Sequence, residues 1–167
     1  QGGKVGGMVL NRVRLTDWRL EYLQAQKVPL VCLERSPNQS DFIGVEVDSF
    51  HVMIELISHL IYLGHSRIAY IGGDPALKID QDRRGGYQAG LTTASVIPLP
   101  ELTLQSDLTS DGGYRAASRL LALALPPTAI VCINDMVAIG AMHAVHQTGL
   151  RVGRDIAIAG FDGIIDS

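Results

Sequence analysis

The 167-residue chain has two cysteines, one tryptophan and no excess of positive charge. Each shortage excludes something. Cys32 and Cys132 lie inside apolar runs, outside any C-x-x-C pair or metal-spaced cluster, and read as buried thiols acting as small hydrophobes. Reduced thiols fit a cytoplasmic protein. Fourteen lysines and arginines stand against 17 acidic residues, a net charge of −3. That leaves no electrostatic footprint for DNA or an anionic membrane, so any nucleic-acid contact belongs to another part of a longer chain. No apolar run approaches the ~20 residues of a membrane span. The opening "QGGKVGGMVL" has one positive charge and no apolar core, so it does not read as a signal peptide. His51, His59, His65, His143 and His146 pair with no cysteine or carboxylate at metal spacing, so no metal ligand is predicted. G-x-G-x-x-G, G-K-[ST] and G-x-S-x-G are all missing, so neither nucleotide binding nor a hydrolase triad is expected. No catalytic residue and no cofactor are assigned.

What is present is a packed chain, 47% hydrophobic and 19% charged, with 18 glycines. Short runs rich in valine and isoleucine predict strands at 7–10, 28–33, 43–47, 67–71, 102–105, 129–133 and 156–159. Several are apolar on both faces, which suits parallel strands covered by helices on each side. Helical spacing predicts helices at 16–26, 50–63, 82–93, 111–123 and 135–148. Gly85, Gly86 and Gly90 in the third permit close backbone packing. From residue 50 onward helix and strand alternate, which means βαβ units and a doubly wound sheet. The lobe boundary falls at 47–49, where an alternating strand gives way to a long helix. Both ends of the chain read as cut from something larger.

In open α/β sheets ligands bind beyond the carboxyl ends of the strands. Those exits carry Gly72-Gly73-Asp74, Asp107-Leu108, Asn134-Asp135 and Phe161-Asp162, with Arg83 further along the chain. Either Asn134 or Asp135 serves as a helix cap, the ordinary use of these residues, while the other faces the cleft. Arg83 also reads as a solvated helix residue and Asp162 as a turn aspartate. Together, an arginine, an asparagine and an aspartate at successive exits suit a polyol, whose hydroxyls each donate and accept.

Several segments together resemble one family. They are "HLIYLGHSRIAYIGG" (59–73), "DRRGGYQAGL" (82–91) and "LPPTAIVCINDMVAIGAMHAVHQTGLRVGRDIAIAGFDG" (125–163), with "VPLVCLER" (28–35) and Asp48 fitting the preceding part. The chain resembles the LacI/GalR-type bacterial transcriptional regulators over essentially its whole length. The resemblance implies an α/β fold of the type I periplasmic-binding-protein kind, with doubly wound parallel sheets in two lobes. Residues 1–47 would be a partial N-terminal lobe, 48–162 the C-terminal lobe, and 163–167 the start of the crossover back.

By resemblance, Arg83, Asn134 and Asp162 hydrogen-bond a small-molecule effector, a sugar, between the lobes. Asn134 then faces the cleft and Asp135 caps the helix. Leu108 falls where many members stack an aromatic on the ligand, and Leu77 and Ile79 are apolar where some relatives are polar. Asp107 and Asp48 complete the candidate set. The implied protein is a cytoplasmic homodimer that binds operator DNA through a headpiece absent from this chain. A periplasmic sugar-binding protein of the same fold is the rival, and an α/β enzyme the second. The "GHSRIA" and "NDMVAIGA" wording favours the regulator.

Overall fold

A computed structural model describes residues 6–34 and 42–165. The elements run β1 (Met8–Leu10), α1 (Trp18–Ala25), β2 (Leu30–Leu33), β3 (Ile43–Val45), α2 (Ser49–Tyr62), β4 (Ile68–Gly72), α3 (Lys78–Thr93), β5 (Thr103–Gln105), α4 (Ser110–Leu121), β6 (Ala129–Cys132), α5 (Asp135–Gln147) and β7 (Ala157–Ala159). Each predicted strand and helix has a counterpart. Two parallel sheets form, in the orders β1-β2-β3 and β5-β4-β6-β7.

In the larger sheet the path from β4 to β5 runs opposite to the paths from β5 to β6 and β6 to β7. Right-handed crossovers therefore send α3 to one face and α4 and α5 to the other. The packing agrees: α3 lies against α2, and α4 against α5. Both contacts depend on missing side chains. A Cβ on Gly86 would meet the Phe50 carbonyl oxygen, and one on Gly140 the Ser110 carbonyl oxygen. Covered on both faces, every residue of β4 and β6 is buried, which accounts for their unbroken apolar runs. The Tyr70 and Tyr87 rings stack at 5.4 Å in this core. Their hydroxyls donate to Asp80 (3.2 Å) and to the Ile68 carbonyl (2.9 Å), so neither buried polar end is left unpaired.

In the smaller unit α1 sets Leu20 against the sheet. Asp17 caps that helix, accepting from the Arg19 amide, and the Arg19 guanidinium grips the same carboxylate at 2.6 and 2.8 Å. Leu20, Val13 and Cys32 make a small separate core. The two units touch at a backbone bridge between Arg14 and Leu77: the Leu15 amide donates to the Ala76 carbonyl and the Lys78 amide to that of Val13. Arg14 adds an ion pair to Asp74 at 2.6 Å.

Two expectations about helix starts need correction. The third helix begins at Lys78 rather than 82, because Leu77 and Lys78 are held by the bridge instead of a side-chain cap. The fourth begins at Ser110 rather than 111, capped by Thr109, whose hydroxyl accepts from the Gly112 amide. Among the described residues no helix is long and apolar enough to cross a membrane.

Candidate functional site

Because β4 to β7 are parallel, their carboxyl ends share one edge of the sheet. The winding reverses between β4 and β6, and a crevice opens at such a point. A pocket of about 410 Å³ sits there, lined by Ile79, Arg83, Leu108, Ile133, Asn134 and Asp162, and by Asn11, Arg12 and Glu34 from the smaller unit. Its size falls within the ~300–1,000 Å³ usual for small-molecule sites.

Arg83 is buried, at 6% exposure, which removes its reading as a solvated helix residue. One guanidinium nitrogen donates to the Ile133 carbonyl at the exit of β6. The other reaches Asp162 at 3.4 Å, and the plane lies 3.6 Å from the Phe161 ring centroid. The distance to Asp162 is long for a charge-assisted bond. Burial lowers the Arg83 pKa and raises that of Asp162, in each case against the pull of the opposite charge. Both shifts therefore say the same thing: desolvation outweighs attraction across this gap. Arg83 Nε is buried without a hydrogen-bond partner among the described residues.

Asn134 takes the cap that the resemblance gave to Asp135. Its side-chain oxygen accepts from the Val137 amide at 2.9 Å, leaving its amide group for the pocket that it lines. Asp135 is buried and accepts from the Ile164 amide at 2.8 Å, which holds down the segment after β7. Leu108 does line the pocket, in the left-handed region at φ 61°, with its methyl over Gly73. Asp162 also has positive φ, 110°. Such conformations cost roughly 1–3 kcal/mol outside glycine and gather at binding sites.

Asp107 and Asp48, also in the expected set, do not line this pocket. Asp107 bonds Thr109 and Arg115 beside a separate groove. Asp48 caps α2 and bonds His51 through an exposed side chain. Of the two apolar positions, Ile79 lines the pocket, while Leu77 is buried in the bridge.

Asn11, Arg12 and Glu34 were not anticipated. They follow β1 and β2, so the strand-exit rule would have found them had it been applied to the first three strands as well. Glu34 has one carboxylate oxygen buried without a partner among the described residues, and burial raises its pKa against the nearby Arg83 charge. The pocket is thus a polar cleft built from both units.

The family described as "Periplasmic binding protein-like domain" matches residues 57–166. The chain belongs to that family. Within it, this periplasmic-binding-protein-like domain is similar to LacI-type regulators. It is 34% identical over 164 residues to the HTH-type transcriptional regulator AglR of Rhizobium meliloti, covering 98% of this chain and 46% of the relative. A solved LacI-family regulatory protein from Chloroflexus aggregans superposes with a TM-score of 0.86 at 35% identity, covering 95% of this chain and 57% of that one. A complex of the transcriptional regulator CelR with cellobiose gives 0.88 at 27%, covering 95% and 49%. The chain spans about half the length of the curated relatives it matches.

Proposed function

We propose that this domain senses a small molecule, a sugar, in the cleft between its two units. In the intact regulator the occupied cleft alters operator binding by a helix-turn-helix headpiece outside this chain. One observation carries the reading: a single polar pocket draws Asn11, Arg12 and Glu34 from one unit and Arg83, Asn134 and Asp162 from the other. A ligand held by both prefers one relative arrangement of the two, which is the differential affinity that a switch requires. Coupling of ~1–3 kcal/mol is typical of such devices. The net charge of −3 agrees with DNA contact lying elsewhere. The relatives are regulators of transcription rather than transport proteins or enzymes, and one structural neighbour was solved with cellobiose. We assign no catalysis, and we expect a homodimer acting in the cytoplasm.

Calorimetric titration of the full-length protein with a sugar panel tests this, alongside Arg83→Ala with its fold checked by thermal melting. A saturable heat with one sugar, lost in the variant, is expected. Binding that survives Arg83→Ala overturns the cleft assignment.

A further inference from the structure

We infer that the effector is an anionic sugar, one bearing a carboxylate or phosphate, and that Arg12 holds its charged group. The inference rests on the effector reading above and narrows its chemistry. Arg12 lines the cleft, yet its guanidinium has no hydrogen bond or ion pair among the described residues. Asp74, on which its charge acts, is already bonded to Arg14. Asp162 answers Arg83. Glu34 lines the same pocket, and no ion pair joins it to Arg12. Among the described residues, two arginines and two carboxylates therefore face the cleft, and one of the arginines is uncommitted.

The backbone at Arg12 is held in place as well. Its φ is 55°, left-handed and unfavourable for a residue with a Cβ. The Arg12 amide donates to Asn11 Oδ1 at 2.7 Å, and the Arg12 carbonyl accepts from Arg19 at 3.0 Å. Arg19 is itself fixed by the buried Asp17. A turn held so firmly in a costly conformation sets where its side chain leaves the chain.

The rest of the wall matches the same class of ligand. Glu34 presents an unpaired buried oxygen that wants a donor, and the amide of Asn134 and Arg83 Nε want acceptors. Sugar hydroxyls supply both. No aromatic ring lines the pocket among the described residues, so Leu108 and Ile79 offer contact but no stacking face. With no stacking to hold the sugar, recognition falls to polar contacts. A planar guanidinium fork matches a carboxylate or phosphate through two parallel bonds, which a hydroxyl cannot supply. An approaching ligand strips water from that guanidinium, and an anionic group restores the lost stabilisation.

The test is calorimetry on the full-length protein with matched probes: D-glucose and D-galactose, their uronates, and their 6-phosphates. Wild type, Arg12→Gln and Arg12→Lys are compared, with thermal melts as a fold check. At least one anionic sugar should bind at least tenfold more tightly than its neutral parent, and the uronate and phosphate arms separate the two sources of charge. Arg12→Gln should erase that preference while Arg12→Lys retains part of it. A neutral sugar that binds as tightly as its anionic forms, with Arg12→Gln indifferent, overturns the inference and leaves the sensor reading standing. Silence across all six probes overturns the inference, and the sensor reading then stands or falls with the sugar panel above.

Discussion

The two sheets of this domain solve the same packing problem to different degrees. In the four-stranded sheet the central strands β4 and β6 are buried along their whole length, and one continuous core joins α2 to α5. The three-stranded sheet buries Val13, Leu20 and Cys32, while Val9, Ile43 and Val45 remain 62–70% exposed. Both are parallel, and both contribute side chains to the cleft. Cohesion and recognition are thus unevenly shared. Among the described residues one half carries a continuous core, while the other brings pocket side chains on a sheet with few buried residues. A segment with few buried apolar contacts opens locally at low free energy, and binding elements are drawn from that end of the range.

The sharpest way to break this comparison is a pair of substitutions, one at a buried position of the larger sheet and one at an exposed position of the smaller, followed by urea unfolding. Ile130→Ala, in β6, should cost about 2–5 kcal/mol. Val45→Ser, in β3, should stay within about 0.5 kcal/mol. Equal losses would mean that the smaller sheet is as tightly packed as the larger.

Acid should separate the halves next. The bond to Arg19 holds the Asp17 carboxyl down at about 2, despite burial. An unfolded aspartate titrates near ~3.9, so the stabilisation is complete above that pH and drains away as pH falls towards 2. Hydrogen exchange followed from pH 5 to pH 2 should show α1 losing protection before β4 and β6. Simultaneous loss would remove the distinction. Asn134→Ala should cost about 1 kcal/mol through the lost cap of α5, while Asn134→Asp keeps the cap but forfeits the amide donor. Melting temperature should tell the variants apart, and effector affinity should fall in both.

The main elements were legible because periodicity is local: the apolar runs of β4 and β6 and the spacing of α2 announce themselves. Arg83, Asn134 and Asp162 were legible as a group because strand exits in a parallel sheet converge by topology. The errors came from contacts between distant segments. Lys78 starts α3 because the Val13 carbonyl accepts its amide, and the sequence around residue 78 carries no mark of that. Asn134 and Asp135 are both good caps, and the choice fell to the Ile164 amide, 29 residues away, which claimed Asp135. Glu34 and Arg12 escaped notice because the first sheet was read as a remnant rather than as one wall of a cleft.

The bridge between residues 13–15 and 76–78 consists of main-chain hydrogen bonds at 2.9 and 3.0 Å. Since neither bond uses a side chain, the identities of Leu15 and Lys78 contribute nothing to it. Substitutions of Leu15 and Lys78 leave both bonds in place, while the Arg14–Asp74 ion pair and buried Leu77 add side-chain contacts to the same join. Proline is the exception, because it alone lacks the amide hydrogen that each position donates.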